Sequence, residues 1–373
     1  MIGDPTFALP FWNGDHPDGM IMPPIYTKDK DSSLFDSLRN DQHANVVIDL
    51  SYNGSPHLRC LYQEKCNMAH VHRAIAYNYT PSQFLGAPFN VGSAPQETNN
   101  AGSLETLHNS VHKWTGEPYY PNLDMGRLAT AARDPIFFAH HSNVDRMWNI
   151  WKTEDRLPGG RRKDFNDYDW LESKFFFYDE NKNYVRVKVK DCLDSTKMGY
   201  DYQRVDLPWL SAGKLIKPKY LRTRNLGAKE EASTFKTLQL PLKLESIERT
   251  TLKSSKPRTR NEVEEEQGME EVLVIDFEYD STEGVKFDVF INDQGDDEIG
   301  PLDSEFAGSF VTLPHSHGHQ KRITSSSFKL PIMNLLEDLE ANDDESITVT
   351  LAPRYGTEDV KIKDIKLVRE VKG

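Results

Sequence analysis

Histidines at helical spacing are the feature that most constrains the fold of this chain. The stretch ETLHNSVHKWTG carries His108 and His112, four residues apart. On an α-helix such residues share one face, so both imidazoles can reach a single ion. The stretch RDPIFFAHHSNVDRMWNIW carries His140 and His141. Successive helical residues point about 100° apart, so only one member of this second pair can join the first pair.

Both stretches mix apolar and polar residues at the spacing of helices. The second stretch begins with Asp134-Pro135, an acceptor side chain followed by a proline, which favours a helix start. Two facing helices would form a three-imidazole site inside a bundle. Imidazole ligands with open positions suit copper, zinc, iron or nickel. These histidines could instead be surface residues or hydrogen-bonded core residues. The flanking sequence distinguishes between these alternatives.

The 373 residues change in character along the chain, which predicts more than one domain. Residues 1–165 are rich in aromatics, proline and histidine and are predicted to be mainly helical with long loops. Residues 166–218 form a small appended domain with one strand, YVRVKVKD. The polar stretch 222–270 is predicted to be an exposed linker. Residues 271–373 contain short β-rich runs separated by turns, the pattern of an all-β sandwich or barrel.

Composition excludes several classes of function. The formal net charge of −13 argues against nucleic acid as the main partner, because phosphate binding needs clustered basic residues. No apolar run approaches the length of a membrane span. The first residues have neither the pattern of a secretory signal nor that of a transit peptide. The three cysteines give no obvious disulfide framework.

The histidine stretches resemble a known copper motif. DPIFFAHHSNVDRMW together with LHNSVHKWTG is similar to the second copper-binding motif, copper B, of plant polyphenol oxidases. These enzymes, also called catechol oxidases, belong to the tyrosinase and hemocyanin type-3 copper group. Four further segments resemble family segments in the family's order: IGDPTFALPFWNGDHPDGM, DYDWL, GYDYQ and VKFDVFIND. The resemblance implies a copper core followed by a small middle domain and a β-rich C-terminal domain that shields the active site.

The resemblance also implies a ligand set and an activity. The copper B ligands would be His108, His112 and His141, with His141 chosen over His140 from the family pattern. The intact enzyme would use O2 and two coppers to oxidise o-diphenols to o-quinones. A small phenol and O2 are therefore the expected partners, without nucleic acid or a membrane span, and the expected location is the plastid, in the thylakoid lumen.

Three other residues receive roles from the resemblance. Asn109 matches a position associated with phenol deprotonation. Leu128 matches the bulky gate residue at the entrance, which is often Phe in the family, so a leucine predicts a wider entrance. Glu105 is a candidate for the acidic residue that orients a water, although its spacing to His108 is one residue shorter than the family pattern. Asp145 and Arg146 are expected to orient the second helix.

The helical core is expected to be partial. In the family the first copper site, copper A, lies upstream of IGDPTFALPFWN, as do the transit peptide and two disulfides, so at most one copper site is expected here. Two alternatives to catechol oxidation stay open. One is a truncated, catalytically inactive fragment that binds one copper or serves a non-enzymatic role. The other is a specialised member, such as an aurone synthase or another phenol hydroxylase.

The remaining histidines and cysteines receive less specific predictions. His16 is expected to be structural, and Gly14 stands where the family has a tryptophan. The segment CLYQEKCNMAHVHRA is expected to form a solvated helix, with a zinc site as the minor alternative. Three alternating histidines are expected in an exposed loop: His315, His317 and His319. Charged segments are easily cleaved, so proteolysis is expected first within residues 222–270.

Overall fold

The computed structural model describes residue 4 and residues 6–54, 62–88, 101–215, 238–254, 269–293, 299–315 and 321–371. Within these ranges no helix is both long enough and apolar enough to span a membrane. Seven α-helices are described: α1 (Pro24–Thr27), α2 (Gln63–Ala76), α3 (Pro81–Phe84), α4 (Ser103–Thr115), α5 (Ile136–Thr153), α6 (Tyr168–Glu172) and α7 (Met333–Asp338).

Helices α2, α4 and α5 carry the helical core, and the two histidine stretches form α4 and α5 as predicted. The Asp134 carboxylate accepts a hydrogen bond from the backbone N–H of Ile136 at 2.9 Å, which satisfies an otherwise unpaired donor at the start of α5. Arg39 forms a buried ion pair with the same carboxylate. Trp151 stacks on Phe84 with ring centroids 4.6 Å apart. The loops are therefore held to the helices by buried polar contacts as well as by apolar packing.

Helix α2 corrects the prediction of a solvated helix for CLYQEKCNMAHVHRA. Most of its side chains are buried, including His70 and His72. Cys66 is disulfide-bonded and therefore presents no thiolate to zinc. Cys60 lies outside the described residues, and Cys192 is a free thiol. A helix in the middle of a core is buried on more than one face, which its mixed composition did not indicate.

The appended segment contains a hairpin of two strands, β1 (Lys174–Tyr178) and β2 (Tyr184–Lys188). Sequence analysis identified only the second strand. After the hairpin, the chain returns to α5, where the hydroxyls of Tyr200 and Tyr202 both donate to the Asp145 carboxylate. These contacts explain why a tyrosine pair is present there.

The C-terminal region is a sandwich of two antiparallel four-stranded sheets. Its strands are β3 (Leu242–Lys243), β4 (Glu248–Lys253), β5 (Met269–Asp280), β6 (Lys286–Ile291), β7 (Phe306–Val311), β8 (Ile323–Pro331), β9 (Ser346–Tyr355) and β10 (Lys361–Val371). One sheet has the order β3-β10-β5-β8 and the other β4-β9-β6-β7. The described strands leave both sheets open, so the barrel alternative is wrong and the sandwich alternative is correct.

The predicted linker needs a correction as well. Strands β3 and β4 lie inside residues 222–270, and they pair with β10 and β9. Polar, charged sequence on an edge strand is compatible with a sheet, because only one face of such a strand is buried. Residues 216–237 and 255–268 of the predicted linker lie outside the described residues.

The sandwich contacts the helical region through polar side chains. Buried Lys286 of β6 donates to the backbone carbonyls of Ser51 and Tyr52. From the other side, Arg73 of α2 donates to the backbone carbonyls of Pro301 and Asp303, at 2.8 and 3.1 Å. Helix α4, which bears two of the histidines, packs against β7. The histidine centre therefore lies on the helix that meets the sandwich.

Candidate metal centre

Three imidazole nitrogens converge between α4 and α5. The Nε2 atoms of His108 and His112 are 3.0 Å apart. The Nε2 atom of His141 lies 3.3 Å from that of His108 and 3.2 Å from that of His112. Within the described ranges, these residues and His140 form the one cluster of at least three histidine, cysteine or acidic residues with the spacing of a metal site.

Backbone and side-chain contacts determine which nitrogen His112 presents. Its Nδ1 lies 2.8 Å from the carbonyl oxygen of Met125, which can only accept. Nδ1 therefore carries the proton, and the lone pair of Nε2 points into the cluster. The loop carbonyl thus orients a ring that is completely buried. Metal-binding histidines typically have such a second hydrogen bond.

The pKa values of His112 and His141 lie below the usual range of histidine. Burial is the largest cause lowering the pKa of His112 well below its usual range, and the neighbouring rings of His108 and His141 lower it further. Burial, followed by the charge of His108, lowers the pKa of His141 to about 4. Neutral imidazole is the form that coordinates metals, so His112 and His141 do not require deprotonation near neutral pH.

His140 is placed differently from its neighbour. Its Nε2 lies 3.3 Å from the carbonyl oxygen of His108, to which it donates. Its ring stacks on that of His108, with centroids 5.2 Å apart. His140 therefore packs behind the converging nitrogens, while His141 faces them, as the 100° step between helical neighbours requires.

The other predicted site residues lie at different distances from the cluster. Asn109 is buried, and its Oδ1 is 3.0 Å from Nδ1 of His108. A carboxylate oxygen of Glu105 lies 3.7 Å from the same Nδ1, and the Glu105 side chain is 46% exposed. Burial opposes ionisation of Glu105, but contacts with His108 and Asn109 outweigh it and lower its pKa. Leu128 lies at the surface, 38% exposed, in the turn before α5.

Phe137 contributes to the centre but was not identified from the sequence. It stacks on His141 with ring centroids 3.9 Å apart. Its neighbour Phe138 is 49% exposed. The signal was present in the FF pair before the two histidines, because helical residues four apart share a face.

The histidines outside the cluster have other environments. His16 caps a short 3-10 helix by accepting from the backbone N–H of Asp18 at 3.2 Å, in agreement with a structural role. His70 lines a cavity of about 50 Å³ between α2 and the sandwich. His315 is exposed at the end of β7, as expected, while His317 and His319 lie outside the described residues.

The geometry fits a single metal ion. Metal–imidazole bonds are about 2.0–2.1 Å long, so nitrogens that subtend angles of about 90–120° at one ion lie about 2.8–3.6 Å apart. The observed separations of 3.0, 3.2 and 3.3 Å fall in this range. Without a cation, Nε2 lone pairs would face one another in a buried space, which is unfavourable. An all-imidazole set selects a transition metal rather than calcium or magnesium.

Comparison with family models defines the class. Residues 1–154 match the model of the common central domain of tyrosinase. Residues 164–214 match the polyphenol oxidase middle domain, and residues 240–368 match the chloroplastic polyphenol oxidase C-terminal domain. The helical region is therefore a tyrosinase-type domain.

Similar proteins show to which family within the tyrosinase-type class the chain belongs. Chloroplastic polyphenol oxidase of Malus domestica is 44% identical over 98% of this chain and 63% of its own length. The structure of latent apple tyrosinase matches 99% of this chain and 78% of its own, with 43% identity and a TM-score of 0.84. Recombinant latent aurone synthase matches 99% of this chain and 73% of its own, with 36% identity and a TM-score of 0.85. The chain belongs to the plant polyphenol oxidase family, and it spans less than two thirds of the length of the curated apple relative.

Proposed function

We propose that His108, His112 and His141 bind one copper ion as the copper B half of a type-3 site. We further propose that the whole protein oxidises o-diphenols to o-quinones with O2. The observation that carries the proposal is the convergence of three Nε2 atoms within 3.3 Å in a buried pocket. Family membership selects copper from the metals that suit imidazole.

A copper pair supplies redox chemistry that transfers electrons from the diphenol to O2. Two o-diphenols each lose two electrons and two protons, and one O2 takes up all four of each to give two waters. In this chain, the imidazoles hold the ion, and the Met125 carbonyl fixes the His112 tautomer. Glu105 lies beside His108, where its carboxylate can hold a water or a substrate hydroxyl. Leu128 is proposed to border the entrance.

The other half of the proposed site would need three further ligands. The resemblance places copper A upstream of the sequence given, and this chain spans 63% of the apple relative. One copper with three imidazoles cannot carry out the two-copper reaction. We therefore expect these 373 residues alone to show little or no diphenol oxidase activity.

Shielding of the site by the sandwich is the second part of the proposal. Thr106 and Asn109 of α4 donate to the backbone carbonyls of Ser309 and Val311 of β7, at 2.9 Å each. His315 lies close enough for its charge to affect the pKa of Glu105. Both observations support a sandwich that covers the proposed metal centre. Cleavage would release it most readily in the parts of residues 222–270 outside β3 and β4, since paired strands resist proteases.

A plastid location is proposed from the relatives, several of which are named chloroplastic. The disulfide at Cys66 supports an oxidising compartment such as the thylakoid lumen.

Two alternatives have some support. Exposed apolar side chains, among them Phe7, Leu9 and Phe138, favour a fragment that binds one copper without catalysis and associates through these surfaces. The match to latent aurone synthase and the surface position of Leu128 favour a more specialised phenol oxidation.

Copper content and catechol-driven O2 uptake of the purified chain test the proposal. We expect about one copper per chain, no O2 uptake, and a lower copper content in His112→Ala, which keeps only two of the three imidazoles. The matched control is His16→Ala, which removes a capping histidine far from the cluster in sequence and should keep the copper. Two coppers with turnover would contradict the half-site, and equal copper in both variants would contradict the ligand set.

A further inference from the structure

Strand β7 lies at the edge of its sheet, and α4 covers that edge. On one side β7 pairs with β6, with Ser309 opposite Asp288 and Val311 opposite Lys286. The backbone carbonyls of Ser309 and Val311 accept hydrogen bonds from Thr106 and Asn109 of α4, at 2.9 Å each. Residues two apart on a strand direct their carbonyls to the same side, so both acceptors belong to one open edge. Side chains of the histidine helix thus pair the edge that an isolated sandwich would expose.

The contact with Val311 determines the orientation of the Asn109 amide. A backbone carbonyl only accepts, so the Asn109 atom 2.9 Å from it is the amide nitrogen. The amide oxygen then faces Nδ1 of His108, 3.0 Å away. An oxygen in that position accepts, which assigns the proton to Nδ1 of His108. The lone pair of Nε2 is left for the cluster, where Nε2 of His112 lies at 3.0 Å.

We propose that Asn109 is a positioning residue that links the sandwich to the metal centre. Edge strand β7 holds the amide through the Val311 carbonyl, and the amide holds His108 in the tautomer and orientation that bind the ion. His112 obtains the same support from Met125, a residue of its own domain. His108 therefore depends on the sandwich and His112 does not. The inference rests on the proposed ligand set, but it also makes a claim about the metal-free chain.

Thr106 provides a matched control for Asn109. It makes an equivalent hydrogen bond to the same strand, one turn earlier on α4. Its hydroxyl has no described hydrogen bond to a histidine, whereas the Asn109 amide has one. Thr106→Val thus removes a contact between α4 and β7 only, while Asn109→Ala removes the contact and the support of His108.

The experiment is NMR of the metal-free, nitrogen-15-labelled full chain, with His108→Gln and Asn109→Ala used to assign the signals. The comparison is made in a Glu105→Ala background, because the Glu105 carboxylate lies 3.7 Å from the same Nδ1. In that background the parent chain and Thr106→Val should show His108 protonated at Nδ1, and Asn109→Ala should lose this preference. The Asn109 side-chain amide protons of the wild type should exchange slowly with solvent because Val311 accepts one of them. If the His108 tautomer were unchanged in Asn109→Ala, the proposed link through Asn109 would be wrong. The link would also be wrong if Thr106→Val lost the Nδ1 preference as Asn109→Ala does. Fast exchange of the Asn109 amide would overturn the anchoring by β7.

Copper affinity provides a second readout on the same chains. Loss of such an outer hydrogen bond typically weakens metal binding by about 10- to 100-fold. We expect that loss in Asn109→Ala and less than about threefold in Thr106→Val. A wild type with the expected tautomer and no copper binding would contradict the proposed function while supporting the positioning role. Copper binding that is equal in both variants would overturn that role.

Discussion

The helical region and the sandwich differ in the side chains that dominate their cores. The core of the sandwich contains mutually packed aromatic rings, with Phe310 within 5.4 Å of the ring centroids of both Phe277 and Phe287. The helical core contains apolar side chains too, but it also encloses the histidine cluster and the buried ion pair of Arg146 with Asp15. Buried polar groups cost stability unless they are paired. The comparison indicates that aromatic packing dominates the core of the sandwich, where buried polar groups such as Asp288 and Arg354 are paired, whereas the helical core also encloses the histidine cluster.

The surface between the two regions differs from both cores in its contacts. Its described hydrogen bonds come mainly from charged or amide side chains to backbone carbonyls, as for Lys286, Arg73 and Asn109. Contacts between domains are commonly more polar than cores and allow separation. A polar interface of this kind is therefore expected to separate more readily than either core.

Removing an aromatic ring from the sandwich should have the largest effect. Phe310→Ala leaves a cavity among packed aromatic rings, which costs about 4 kcal/mol of unfolding free energy. Urea unfolding measures the loss. Phe176→Ala is the control, because Phe176 is 51% exposed on the hairpin and should cost less than about 0.5 kcal/mol. Equal losses would contradict the view that packing stabilises the sandwich.

Breaking the buried ion pair should destabilise the helical region somewhat less. In Arg146→Ala the Asp15 carboxylate stays buried and keeps its bonds to Asn143 and Trp209, at 2.9 and 3.1 Å. An uncompensated buried charge costs about 3 kcal/mol. Arg161→Ala breaks an exposed pair with Asp155, both more than 70% exposed, and should leave the unfolding free energy nearly unchanged because solvent screens the pair. If denaturant unfolding gave similar losses of unfolding free energy for Arg146→Ala and Arg161→Ala, the buried ion pair would not stabilise α5.

Acid should weaken the contact between the two regions through His70. Burial, followed by the positive charge of Lys286, lowers the pKa of His70 from 6.5 to about 3. The folded chain therefore binds fewer protons than the unfolded chain, so this contribution is complete above pH 6.5 and is lost as the pH falls towards 3. At pH 5 the loss is about 2 kcal/mol.

His70→Phe tests this pH dependence. Phe keeps a ring against Phe306, whose centroid lies 5.6 Å from that of His70, and cannot take up a proton. The fall in unfolding free energy between pH 7 and pH 5 should shrink by about 2 kcal/mol relative to wild type. If the unfolding free energy of His70→Phe fell with pH as much as that of the wild type, His70 would not be the source of this pH dependence.

The smallest expected effect concerns Gly14. A Cβ atom at this position would have no atom within 4 Å, and a cavity of about 20 Å³ lies beside it. Gly14→Ala should therefore raise the unfolding free energy by about 0.5 kcal/mol, by restricting the unfolded chain. The control is Gly116→Ala, where a Cβ would lie 2.0 Å from the backbone nitrogen of Gly126 and must destabilise. If thermal unfolding showed that Gly14→Ala loses stability, the view that a Cβ atom fits at this position would be wrong.

The sequence predicted the elements whose periodicity is local. Five β-rich runs correspond to β5 to β9, and both histidine stretches form helices. Strand β10 was missed because its charged residues obscure the alternation. Strands β3 and β4 were missed because polar edge strands resemble a linker. Helical spacing grouped His108 with His112, but the choice of His141 needed the family pattern.

The contacts that support the centre were beyond the reach of sequence patterns. The Val311 carbonyl is 202 residues from Asn109, and Lys286 is 235 residues from Ser51. No motif identifies a backbone carbonyl as a partner, since every residue has one. Such contacts depend on how two domains dock.

The most direct test of the central claim is copper K-edge X-ray absorption on the full chain loaded with one equivalent of copper. The account predicts three imidazole nitrogens at about 2.0 Å, as for other first-row metals. It also predicts two in each of His108→Ala, His112→Ala and His141→Ala, and three in His140→Ala. Loss of a nitrogen in His140→Ala but not in His141→Ala, or a copper coordinated elsewhere, would contradict the assignment of the centre.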